Sequence, residues 1–175
     1  MATLPIQPPQ WHRTPYNNAP EIKGSLLEAD SQTFLEGDLV YSNAGAVTVC
    51  GADPTQIAGL AAKAGTNVTS GNAAIPFMVI RGGDEFIMSL YHATPASALQ
   101  SGVSVGTAYE IARVTVSGAT CWCVDMAETT NERVVVVDLY PSDATTDLYG
   151  RVIVRFLNTA LDGATQRNNV LQLWQ

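Results

Sequence analysis

Glycine, asparagine and proline interrupt the apolar sequence so often that no run is long enough for a sizeable helix. That spacing directs the chain to short strands joined by turns. Asp38-Leu39-Val40-Tyr41 meets Ala46-Val47-Thr48-Val49-Cys50 across Ser42-Asn43-Ala44-Gly45, which is hairpin spacing with turn residues in the gap. Residues 56–61 read as a third short strand after the Asp53-Pro54 turn, and residues 63–74 as a loop. Two apolar runs, 75–80 and 85–91, flank the turn Arg81-Gly82-Gly83-Asp84. Residues 105–116 and 119–125 flank Ser117-Gly118 as another hairpin, and 133–140 and 151–157 complete the series.

One stretch has a helical signature: Thr94 as a cap, Pro95 in the first turn and Gly102 as a stop bound two turns at most over 95–101. Residues 142–149 can add a further turn. Nine or ten short strands with frequent glycine turns predict an all-β fold, mainly an antiparallel β-barrel or sandwich, with one or two short helices and extended N- and C-terminal arms. The expected organisation is an N-terminal arm over 1–23, a β-barrel domain over 24–157 and a C-terminal tail over 158–175, the tail being a short helix or irregular.

The arm stands apart because Pro5, Pro8, Pro9, Pro15 and Pro20 fix φ and remove amide donors, which excludes a helix or a central strand. It nevertheless carries Leu4, Ile6, Trp11 and Tyr16, more apolar weight than a solvated linker needs. Two readings stay open: a disordered leader, or an extended arm that lies on another subunit with these residues as anchors. In the second reading residues 1–20 are removable without loss of the fold. In the tail, Val170-Leu171-Gln172-Leu173-Trp174 alternates as a strand does. Leu171, Leu173 and Trp174 then either complete this molecule's own sheet or add a strand to a neighbour's edge.

Composition excludes several functions. Of 175 residues, 16 are acidic and 9 are Lys or Arg, for a net charge of −7, and Lys23 and Lys63 are the two lysines. Phosphate backbones are bound through Lys and Arg, so no nucleic-acid partner is expected. The charged fraction of 14% lies below the ~25% of an ordinary soluble domain, which leaves a surface of small polar residues suited to coverage by partners. The opening residues lack the basic and apolar regions of a signal peptide, and no apolar run approaches a membrane span; a soluble protein of a reducing compartment is expected.

Chemistry finds little purchase. His12 lies in the arm and His92 at a strand end, without ligating or catalytic neighbours. In Cys121-Trp122-Cys123 the two sulfurs share one strand face, but a tetrahedral zinc needs two more ligands, and Cys50 is remote in sequence. The carboxylate pairs Asp84/Glu85 and Glu128/Glu132 fall in turns, where solvation is expected. No catalytic residues, cofactor or metal ligands are assigned, and the chain reads as a non-enzyme.

The order of segments carries a resemblance. Glu36-Gly37-Asp38-Leu39-Val40, then Ala46-Val47-Thr48-Val49, then Ile57-Ala58-Gly59-Leu60-Ala61 is similar to the small β-barrel head-decoration, or cement, proteins of tailed bacteriophages, and residues 105–110 fit the same layout. The resemblance covers about residues 24–157. It implies a non-enzymatic virion protein, made in the host cytoplasm, that sits on the outer capsid surface as a dimer or trimer and binds the major capsid protein, with no membrane partner. Two other classes stand beside it: another virion component, such as a fibre base, tail-tube-like protein or minor capsid subunit, and a β-barrel enzyme or ligand-binding module.

Overall fold

The apolar runs do form short strands, and they serve two sheets. The computed structural model describes residues 2–15, 19–24, 26–70, 72–128 and 130–161. Its strands are β1 (Gln10–Arg13), β2 (Ile22–Lys23), β3 (Leu27–Glu28), β4 (Leu39–Asn43), β5 (Ala46–Val49), β6 (Gly59–Ala61), β7 (Phe77–Val79), β8 (Glu85–Tyr91), β9 (Ala108–Val116), β10 (Ala119–Asp125), β11 (Val134–Leu139) and β12 (Arg151–Phe156). The fold is all-β, as expected, and its pairings are antiparallel except β8–β10 and β3–β5.

The first sheet runs β1-β8-β10-β9-β11-β12, and β8 also pairs with β12, so β8 through β12 close into a five-stranded ring. The closing joint is short: β10 meets β8 only through Val124↔Leu90 and Asp125↔Tyr91. The second sheet runs β2-β7-β6-β4-β5-β3. Leu27 of β3 also bridges Ala74, just before β7, so the segment carrying β2 and β3 draws the two edges of this sheet together.

Both predicted hairpins sit where the turn residues put them. Ala44 and Gly45 (φ 49° and 85°) join β4 to β5, and Ser117 and Gly118 (φ 51° and 85°) join β9 to β10. Positive φ at both central residues gives the turn whose twist matches that of the paired strands. The apolar runs around Arg81-Gly82-Gly83-Asp84 behave differently. They do not pair with each other; β7 belongs to the second sheet and β8 to the first, so this turn is a corner between sheets.

The expected helix over 95–101 is replaced by two single 3₁₀ turns, Pro95–Ser97 and Gln100–Gly102, and the Thr94 side chain makes no cap. Tertiary pairing overrides local propensity here. Leu99 is extended (φ −120°, ψ 142°) because it bridges Leu148, which splits the helix in two. Gln100, 1% exposed, donates its amide to the carbonyls of Tyr140 and Arg151 and fastens the second turn to β12. Residues 142–149 form no helix. Residues 158–160 make one 3₁₀ turn, and the remainder of the tail lies outside the described residues.

Three apolar clusters hold the sheets. The central one fills the ring with Phe86, Met88, Leu90, Trp122, Val134 and Val154, and one face of the second sheet adds Leu39, Leu60 and Ile80. Phe86 and Phe156 meet edge to face there at 5.5 Å. The second sheet turns its other face to Phe34, Val40, Val47, Ala61 and Phe77. A third cluster lies outside the ring, where Cys121 and Cys123 meet Ile6, Ala98 and Tyr149.

Asp38 at the entry to β4 ties the two sheets. It is 1% exposed and accepts from Arg113 Nε at 2.9 Å and Nη2 at 2.8 Å, and from the Leu35 amide at 2.8 Å. Removing a partner from a buried carboxylate strands its charge. Because the Arg113 side chain is 34% exposed, the Arg113→Met cost is reduced by solvent to about 2 kcal/mol. Urea unfolding should show that loss, and Arg113→Lys should recover less than half of it, since an ammonium cannot address both oxygens as a planar fork does. Full recovery by lysine would mean that charge alone matters at this site.

Candidate functional site

The arm is the segment on which the sequence concentrates candidate anchors, and it is extended as expected. In this chain it lies on its own barrel. Leu148 N–H donates to Ala2 O at 2.8 Å, and Leu4 N–H donates to Leu148 O at 3.0 Å. Gln7 N–H donates to the hydroxyl of buried Ser89 at 3.1 Å. β1 then pairs antiparallel with β8 through Gln10↔Ile87, Trp11↔Phe86 and Arg13↔Glu85.

Leu4 is half-buried, and Ile6, 4% exposed, is inserted beside Cys121, Cys123 and Tyr149. Trp11 is half-buried against the central cluster, and its indole nitrogen is buried with no acceptor among the described residues. Tyr16, Leu171, Leu173 and Trp174 lie outside the described residues. The arm is therefore part of the folded unit. Removing residues 1–20 would take out Ile6, whose burial is worth about 2 kcal/mol, together with one strand, so the fold is not independent of it.

The seat of the arm uses residues that the sequence reading passed over. Gly37 (φ 85°) lies under Pro8, where a Cβ would come within 2.6 Å of Pro8 Cβ, and Gly83 (φ 95°) lies under Pro15, with a Cβ at 2.9 Å from Pro15 Cγ. Glu85, expected in a solvated turn, is 2% exposed and accepts from Arg13 Nε at 2.5 Å and Arg155 Nη2 at 2.6 Å. Asp84 is 5% exposed and accepts from the Arg81 amide at 3.0 Å. Both carboxylates depart from the solvated expectation because the corner between sheets pulls them inward. Glu128 and Glu132 are exposed, as expected.

These two acids titrate in opposite directions. Burial pushes Asp84 up, only partly offset by the Arg81 amide and charge. Burial acts on Glu85 too, but hydrogen bonds from Arg13 and Arg155 and their charges outweigh it and hold the carboxyl below its ordinary value.

The sulfurs remain separate from any ligand set. Cys121 Sγ and Cys123 Sγ are 3.7 Å apart in the third cluster, whereas Cys50 belongs to the central one. Burial drives the Cys50 thiol to about 12. Between the paired thiols, the shared hydrogen bond lowers Cys121 and raises Cys123. Among the described residues no three His, Cys, Asp or Glu side chains gather as a metal site. His92 Nδ1 accepts from the Thr94 amide at 2.9 Å.

The described residues line at least two surface cavities. One of about 520 Å³ lies between the arm and the end of β6, lined by Pro8, Pro9, Glu36, Ala61 and Met78 among others. The other, about 260 Å³, is framed by residues 50–56 and Tyr41. Neither lining brings a nucleophile together with a histidine or a second carboxylate. Among the described residues no helix is long and apolar enough to cross a membrane. Comparison of the chain with models of protein families, curated proteins and solved structures gives no match.

A group whose folded-state titration is lowered contributes stability above its unfolded value and loses it as pH falls through the folded one. Glu85 therefore supports the arm fully above about 4.5, its ordinary value, and progressively less below it. In a series of urea midpoints from pH 6 to pH 3, Glu85→Gln should flatten the acid-side decline. Parallel curves for the two proteins would remove Glu85 from that role.

Proposed function

We propose that this protein is a non-enzymatic structural component of a virion. It binds the outer capsid surface as a dimer or trimer and cements neighbouring major capsid subunits against the pressure of packaged DNA. The observation that carries the reading is the segment resembling head-decoration proteins, whose three quoted stretches form or lead into β4, β5 and β6, neighbours in one sheet. Gly37 turns the chain into β4 at φ 85°, and Asp38 clamps it to β9 through Arg113. Gly59 admits the β7 backbone so closely that a Cβ would lie 2.0 Å from Met78 O. Gly37, Asp38 and Gly59 of the pattern thus each have a role in this geometry, which supports reading them as a fold signature.

Charge supports the same reading. At −7 with two lysines, the chain has little to offer a phosphate backbone and is suited to work beside packaged DNA without adhering to it. A cement acts through many copies on one shell, so each contact can be modest while the array as a whole resists opening.

The test is sedimentation of the purified chain with empty shells of its particle, before and after expansion. A discrete dimer or trimer that travels with shells is the expected result. A chain that stays at the top of the gradient with both shell forms overturns the proposal, and spontaneous polymerisation without shells redirects it to a tube or fibre component.

A further inference from the structure

We propose that the β8 edge over residues 85–87 is a strand-acceptor site, and that its alternative occupant is the N-terminal arm of a second copy of this chain. The inference goes beyond the capsid reading and does not depend on it.

The open edge comes first. β10 uses that side of β8 only at Leu90 and Tyr91, so residues 85–87 are paired there by β1 and by no other described strand. With β1 lifted away, such an edge is a template for strand addition. The seat is also shaped for one particular sequence. Gly37 and Gly83 leave hollows that receive Pro8 and Pro15, and Ser89 waits for the Gln7 amide. An occupant that fills these places has the arm's own sequence, which another copy supplies.

Departure of the arm uncovers the Ile6 seat and the β8 edge, but it strands no buried charge. Glu85 would be a buried unpaired charge if Arg13 were its sole partner, but Arg155 of β12 binds the same carboxylate and stays behind. The described residues between β1 and β2, which are 14, 15 and 19–21 and include Pro15 and Pro20, lie in no strand of either sheet. Nothing in the seat requires that arm and barrel share a chain beyond this tether. Tethering holds a segment at an effective concentration on the order of millimolar. In dilute solution the arm closes on its own barrel, and at comparable packing of copies it exchanges, the usual logic of domain swapping.

The experiment uses the full chain in two versions, Gln10→Cys and Ile87→Cys, one with a size tag, mixed under oxidised glutathione. Gln10 and Ile87 are direct register partners, and the native cysteines are buried. The double variant Gln10→Cys/Ile87→Cys tests the register within one chain and should cross-link internally when dilute. The mixture should give a tagged–untagged heterodimer whose yield rises about tenfold between roughly 10 µM and 1 mM, where intermolecular capture begins to compete with the tether. A double variant that closes internally, with no heterodimer at millimolar concentration, overturns the exchange. A double variant that does not close overturns the seat itself.

Discussion

Strands β4 and β6 each face two apolar clusters, and most of the architecture follows from that. Leu39 and Leu60 point into the ring while their neighbours Val40 and Ala61 point into the second cluster. A strand buried on both faces cannot alternate apolar with polar residues, so it reads as an uninterrupted apolar run. It also has nowhere to put a charge except at its end. Asp38 stands at that end, desolvated, and the bidentate hold of Arg113 from β9 is what makes its burial tolerable. The same constraint governs β10, where Trp122 and Val124 fill the ring while Cys121 and Cys123 face outward under the arm.

The arm works by the same rule from outside. The outward face of the ring at Cys121, Cys123 and Tyr91 is apolar and would be exposed without a cover. A segment with five prolines is a poor strand but a good cover, because its fixed φ values reduce the entropy lost when it lies down. Hydrogen bonds along it are accordingly sparse and supplemented by side chains: Asp147 receives the Ala2 amide, Ser89 the Gln7 amide and Glu85 the Arg13 guanidinium. The arm resembles a strap with buckles more than a sheet member of full standing.

Fold class and both tight hairpins were legible in the sequence because turn chemistry is local: Ala44-Gly45 and Ser117-Gly118 encode their own backbone conformation. Three things were not legible, each because it depends on distant partners. The apparent strand over 56–61 shifts face at Gly59, since Ile57 and Leu60 both reach the central cluster while Ala58 and Ala61 both reach the second. At that point the β7 backbone comes so close that a Cβ on Gly59 would lie 2.0 Å from Met78 O, a contact 19 positions away in sequence. The helix signal at 95–101 yielded to the Leu99–Leu148 bridge. Asp84 and Glu85 sat in a turn-like string and were therefore read as solvated, although the corner they occupy lies between sheets. Of the candidate anchors, Ile6 and Trp11 were identifiable from their apolar character among prolines, but Arg13 was not, because its partner Glu85 is 72 positions away.

The unequal joints of the ring have a mechanical consequence. β9 and β10 are joined over seven register pairs and β8 and β12 over five, whereas β8 and β10 share two, as do β9 and β11. Load drawn across such a ring does not spread evenly. It concentrates at the two shortest seams, so the barrel has two lines of weakness, one between β8 and β10 and one between β9 and β11. The arm is laid along β8 beside the first of them. Tension that lifts the N-terminus would peel the arm from β8 before it reached either seam, giving the molecule a soft first response to pulling and a stiff second one.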